Sequence, residues 1–318
     1  MNQAIIFDTN AYRNLTVNKS FAECKKIIDK IVAQEALNNN LSFLSPIVLI
    51  ELAAHLSDVN DKAYLNCKNA YASCYLHCKE VDSDNFRMIP DGESHLAKVL
   101  FNYEDTVVMN KLMAYGQLAY RIYNDFSEPN VDSFRKYFLE MNRYVELIET
   151  QFVADMHKYV VKELNPEATD WHPLKQDKVR RKKLLQEIKS DKPIDSFALA
   201  QVVKASDIAK VNLDEHDVFE LTERVKSVFP APLYLYKNIF NKIVEAGADL
   251  TNPKKKRWNW IWDIQILFSI SDVTLASKNT LLVTSDNDVI VAANDAGLSN
   301  KIMPLKDYLL SIGITNIV

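Results

Sequence analysis

At 318 residues the chain exceeds the common domain size, which leaves room for two domains or for one domain with a large insertion. Its hydrophobic content of 48% and charged content of 25% are those of a globular protein, while only 5 glycines argue for a helix-rich chain. Neither a P-loop nor a G-x-G-x-x-G occurs, and a net charge of −4 gives no global attraction to nucleic acid, so such a partner needs a local basic patch.

No apolar run approaches the ~18–20 residues of a membrane span, and the chain reaches Asp8 without the basic flank of a signal peptide. A soluble, cytoplasmic protein with no membrane partner is expected. Four cysteines fit a reducing compartment better than a disulfide framework. Cys67, Tyr71, Cys74 and Cys78 fall on one helical stripe, and His77 lies about 100° away from Cys78. That spacing predicts a buried stripe of small thiols and not a zinc site.

In chain order, Ile5-Ile6-Phe7 reads as a strand buried on both faces and ending in Asp8. A short helix or turn follows, then an amphipathic helix over 19–39. Leu41–Leu44 is a short strand, and Ser45-Pro46 opens a helix running to about His55, with Ser45 as its cap. The cysteine helix spans 61–81, Phe86–Pro90 reads as a strand, and Glu93 starts a helix ending near Tyr103. Strand–helix alternation of this kind indicates a parallel α/β sheet.

From Glu104 to about Leu250 only helices are expected, over roughly 104–126, 131–164, 173–190, 194–206, 213–228 and 232–248, with proline-bearing joints. The sheet pattern resumes with Trp258-Asn259-Trp260-Ile261-Trp262-Asp263 and an apolar helix from Ile264 to about Ser277. Leu281–Thr284 is a second buried strand, leading into Ser285-Asp286-Asn287-Asp288 and a helix over 289–296. A strand at Ile302-Met303 and a helix over 305–312 complete the reading.

Five acids therefore end strands or sit in helices beside them: Asp8, Glu51, Asp263, Asp286 and Asp288. Glu51 stands in Ile47-Val48-Leu49-Ile50-Glu51-Leu52-Ala53-Ala54, where an acid is costly unless paired, protonated or bound to a cation. Crowded carboxylates cannot all stay ionised without cations, and an all-oxygen set suits Mg²⁺ or Mn²⁺ and not Zn²⁺.

This order of parts resembles the PIN-domain nucleases. The resemblance rests on Asp8-Thr9-Asn10 after the first strand, Glu51 on the helix after the second, Asp263 opening a later helix, and Thr284-Ser285-Asp286-Asn287-Asp288 after a further strand. It implies a three-layer α/β/α core with a five-stranded parallel sheet over 1–103 and 258–318, interrupted by a large all-helical insertion over 104–257. It also implies a metal-dependent nuclease, with RNA as the favoured substrate. Asp8, Glu51, Asp263 and Asp286 would be the catalytic metal ligands, Asp288 would serve an outer or second ion, and Thr9, Asn10, Thr284 and Ser285 would orient carboxylates.

The nucleic-acid contacts expected are Lys254, Lys255, Lys256 and Arg257 with Trp258, and Arg180, Arg181, Lys182 and Lys183. Single-stranded RNA is the partner these suit, with a protein regulator (an antitoxin or a complex subunit) and a homodimer left open. Two alternatives stand beside this reading. One is a non-catalytic nucleic-acid- or protein-binding scaffold on a PIN-like core. The other is a haloacid-dehalogenase-like phosphohydrolase, whose D-x-D chemistry lacks its second acid because position 10 is Asn.

Overall fold

The structure, a computed structural model, describes residues 2–164, 177–246, 259–271 and 274–315. The first strand, β1 (Gln3–Phe7), is buried through Ala4, Ile5, Ile6 and Phe7. It lies between β2 (Leu41–Phe43) and β3 (Asn279–Thr284), and β4 (Ile302–Pro304) flanks β3. All pairings are parallel in the order β2-β1-β3-β4, with Ile5 opposite both Ser42 and Leu281. Burial on both faces explains the unbroken apolar runs of β1 and β3.

The sheet has four strands, not five. The segment expected as a strand over 86–90 touches the β2 edge at one parallel bridge, Leu44 to Met88. Leu44 N donates to Arg87 O at 2.9 Å and Ile89 N to Leu44 O at 3.0 Å. Beyond that point Phe86 turns back to an antiparallel bridge with Lys79, and Pro90 has no N–H to extend the ladder.

The rest of the chain is mostly helical. Between β1 and β2 lie α1 (Thr9–Thr16) and α2 (Phe21–Leu37), the latter opened by a Ser20–Glu23 capping box. After β2 come α3 (Pro46–Ala54), α4 (Tyr64–Cys78) and α5 (Gly92–Phe101). Ser45 holds the cap position of α3, yet its hydroxyl makes no capping bond and is buried without a partner among the described residues. The cysteines of α4 are free and buried, and burial pushes the Cys67 and Cys78 thiols up to about 12.

The helical block contains α6 (Thr106–Asn124), α7 (Glu128–Ser133), α8 (Arg135–Leu164), α9 (Lys178–Lys189), α10 (Lys192–Ala209), α11 (Glu215–Val228) and α12 (Pro230–Ala246). The single helix expected over 131–164 is broken at Phe134, which leaves the helical backbone between α7 and α8. The block packs on the sheet-bearing part through α8 against α3 and through α12 against α13 (Trp260–Leu267) and α14 (Asn287–Asp295). The chain closes with α15 (Leu305–Ser311).

The tryptophan segment also differs from expectation. Trp260 and Trp262 lie on α13 and not along a sheet edge, and Trp262 is buried. This helix stops at Leu267, short of the expected Ser277. Its C-terminal end packs closely on the start of α5, where a Cβ on Gly92 would come within 2.5 Å of Gln265 Oε1 and 3.0 Å of Phe268. Among the described residues, no helix is long and apolar enough to cross a membrane.

Candidate active site

In the order β2-β1-β3-β4 the chain leaves β1 toward one edge and β3 toward the other. That reversal opens a crevice at the carboxyl ends of β1 and β3, where open parallel sheets place their ligands. Asp8 and Asp286 enter this crevice from the two strands. Asp8 N donates to Val283 O at 3.0 Å, extending the β1–β3 ladder by one bond. The Thr284 hydroxyl donates to Asp8 Oδ2 and accepts from Asp286 N at 2.9 Å, tying the two acidic turns together.

Both aspartates also cap helices. Asp8 Oδ1 accepts from Ala11 N at 2.5 Å at the start of α1, and Asp286 Oδ1 accepts from Asp288 N at 2.8 Å and Val289 N at 3.3 Å at the start of α14. Acids are favoured at helix N-termini by the exposed N–H groups there. Capping accounts for their positions but not for their energetics. Burial pushes the Asp8 carboxyl up to about 7 against the lowering effect of its hydrogen bonds, and the Asp286 charge adds to the rise.

Glu51 reaches the same region from α3. Its Oε2 accepts from Thr9 Oγ1 at 2.5 Å, so the residue after Asp8 holds Glu51 in place. Burial raises the Glu51 carboxyl to about 8, with Asp8 and Glu149 adding to the rise. Asp263, in the first turn of α13, is held well above the carboxylate range by burial and then by Glu51, Asp286, Asp8 and Asp288. Its carboxyl therefore feels every other acid singled out in the sequence. Among the described residues Asp263 has no hydrogen-bond partner to offset this.

The expected supporting residues divide. Thr9 and Thr284 bond to Glu51 and Asp8 through their hydroxyls. Ser285 acts through a backbone hydrogen bond to Asp8, and its side chain is exposed. The Asn10 side chain has no hydrogen bond among the described residues. Asp288 is ion-paired with Lys242 of α12. Lys178, Arg180, Lys182 and Lys183 are exposed on α9, with Arg181 half-buried and Leu184 and Ile188 turned into the core. Lys254, Lys255, Lys256, Arg257 and Trp258 lie outside the described residues.

Three residues at the site were missed by the sequence reading. Glu149 of α8 accepts from Trp262 Nε1 at 3.0 Å and acts electrostatically on Glu51. Lys242 reaches Asp288, and Arg13 of α1 exerts an opposing charge on Glu51. All three lie on helix faces whose orientation is set by packing. The only local signal is Glu149 standing within the apolar spacing of Val145, Ile148 and Phe152.

An all-carboxylate donor set fits a hard divalent cation, and the repulsion focused on Asp263 is what such an ion relieves. As the side chains stand, no group of three or more His, Cys, Asp or Glu is arranged to hold an ion among the described residues. Loading would therefore have to draw the carboxylates inward. No protein-family model, no curated protein and no solved structure matches this chain.

Proposed function

We propose that this protein is a metal-dependent nuclease that hydrolyses phosphodiester bonds of RNA, built on a three-layer PIN-like core. The observation that carries this reading is the convergence of Asp8, Glu51, Asp263 and Asp286 at the switch point of a parallel sheet, each from a different element. Structural acids are normally paired with cations or hydrogen-bond donors, and uncompensated burial of several together is a mark of a functional site.

Asp8, Glu51, Asp263 and Asp286 would hold Mg²⁺ or Mn²⁺. When bound, the ion supplies a water of lowered pKa and stabilises charge on the leaving oxygen. The protein's own part is orientation. Thr284 and Ala11 N fix the two Asp8 oxygens, and Thr9 fixes one oxygen of Glu51. With its carboxyl raised to about 8, Glu51 carries a proton near neutrality when no cation is present, and Asp263 is shifted in the same direction. Cation uptake must then release protons, so apparent metal affinity should rise with pH.

The scaffold reading draws on two observations, the Lys242–Asp288 ion pair and the absence of a closed ligand set among the described residues. Labelled RNA and DNA panels incubated with Mn²⁺ or Mg²⁺ separate the two. Asp8→Asn should reduce cleavage by more than ~100-fold, beyond the ~10–100-fold cost of losing an outer partner of a metal ligand. Saturable metal binding with no cut in any strand would assign the protein to the scaffold class.

A further inference from the structure

We infer that the groove beside Glu51 is the path of a single-stranded nucleic acid, its phosphates running along Arg13, Lys19 and Lys62. The inference deepens the nuclease reading by giving its substrate a route, although binding along the groove does not itself depend on hydrolysis. The groove has a volume of about 1470 Å³ and is lined by the α1–α2 joint, the α3–α4 connection, α8 and Trp262. That exceeds the ~300–1,000 Å³ typical of small-molecule pockets and suits a segment of polymer. Of the acids at the candidate site Glu51 lines the groove, so a chain lying in it passes that edge of the site.

By count, acids outnumber cations on the lining, but the acids accept hydrogen bonds, whereas Arg13 acts on Glu51 and Asp61 only at longer range. Asp61 accepts from Ala63 N at 2.8 Å and bonds to His55 Nδ1 at 2.7 Å. Asp58 accepts from Asn60 N at 2.9 Å, Glu146 from Asn142 Nδ2 at 3.2 Å, and Glu149 from Trp262 Nε1 at 3.0 Å. By contrast, Arg13 and Lys62 have no ion-pair partner among the described residues, and Lys19 Nζ reaches only Val17 O, at 3.5 Å. Arg13 is half-buried, where an unpaired guanidinium is costly to keep, and its planar fork matches a phosphate.

The remaining lining favours bases over a protein partner. Asn66, whose oxygen accepts from Thr16 Oγ1 at 2.7 Å, Asn142, whose nitrogen donates to Glu146, and Asn259 bring amide groups of the kind suited to base edges to the wall, whereas the one indole there, Trp262, is buried. Asn69 Nδ2 donates to Lys19 O at 2.8 Å, holding the α1–α2 joint on which Lys19 stands.

The test measures binding of labelled single-stranded RNA and DNA oligonucleotides to the full chain in EDTA, which separates binding from cleavage. The groove variant is R13Q/K19Q/K62Q, and the comparator is K178Q/R180Q/K182Q/K183Q on α9. Three lost phosphate contacts should flatten the log K against log salt slope by about 2, from ~0.7 per contact. Wild-type affinity should then fall about 20-fold more than the groove variant's between 50 and 200 mM salt. The comparator should match wild type, R13K should bind better than R13Q, and urea midpoints should be equal. Photo-crosslinks from 4-thiouridine should fall on peptides containing Asn66, Asn142 or Asn259.

Equal slopes for wild type and the groove variant, crosslinks confined to 178–189, or no binding of either strand by wild type would overturn the inference. Binding lost in the groove variant, with wild type cutting nothing, keeps the groove and removes the hydrolase reading. Cleavage with an unchanged KM in the groove variant does the reverse.

Discussion

Two sets of carboxylates lie near the same strands and behave in opposite ways. Glu35 on α2 is 3% exposed, and burial pushes its carboxyl up, yet His77, Ser42 and Tyr308 together hold it below the usual range. Ser42 Oγ donates to Glu35 Oε2 at 2.5 Å, Tyr308 OH donates to Oε1 at 2.6 Å, and His77 Nε2 lies 3.1 Å from both oxygens. Tyr12 OH completes the network at 2.9 Å from His77 Nδ1. At the sheet's carboxyl edge Asp8 is buried and Glu51 and Asp263 are half-buried; here desolvation outweighs the hydrogen bonds to Asp8 and Glu51, Asp263 is surrounded by other acids, and all three are raised. Burial does not mark a functional acid. Uncompensated burial is the feature on which the nuclease reading rests.

The largest test of this contrast is Glu35→Ala. Removing one member of a buried, hydrogen-bonded pair should cost about 3–5 kcal/mol in urea unfolding. Asp263→Asn should instead leave the metal-free protein as stable or more stable near pH 8. Similar losses in both variants would erase the distinction.

The next effect is one of pH. Asp8 and Glu51 titrate at about 7 and about 8 in the folded chain, above the ordinary carboxylate range. Their contribution to stability is complete below about pH 4, where both states are protonated, and is lost as pH rises through 7 and 8. The metal-free protein should therefore lose on the order of a few kcal/mol between pH 4 and 8.5 from these groups. Added Mn²⁺ should restore most of the loss at the alkaline end. A melting profile flat across this window would mean that the acids are solvated.

A smaller and more local effect is expected from Thr9→Val, which removes the hydroxyl bonded to Glu51 Oε2. Cleavage or metal affinity should fall by ~10–100-fold, the usual cost of an outer partner, with little change in fold. No change in either would leave Thr9 a helix-start residue only.

The sheet and its acids were legible because strands buried on both faces announce themselves as apolar runs and an acid at the end of such a run stands out. Asp8 and Asp286 were read in that way, Glu51 as an acid inside an apolar helix, and Asp263 as the acid opening another. The strand expected over 86–90 was not forecast correctly, since its sequence fits a strand but pairing depends on how much of the β2 edge is left to it. Glu149, Lys242 and Arg13 were illegible for a related reason: a charged residue on an amphipathic helix looks the same whether its face meets solvent or a crevice. Ser45 takes the expected cap position, but its hydroxyl is buried without a hydrogen bond to the helix N–H groups.

The pairing of β1 with β3 joins Ile5 to Leu281. During synthesis at ~5–20 residues per second, that places roughly 15–55 s between the emergence of the two partners. Throughout the interval β1 can pair only with β2, and its other edge stays open. A bare strand edge is an invitation to the wrong neighbour, so a nascent chain of this design depends on something shielding it. The same delay applies to the site. Asp286 follows Asp8 only after the whole helical block and β3, so the acidic crevice cannot close until all of these have been made.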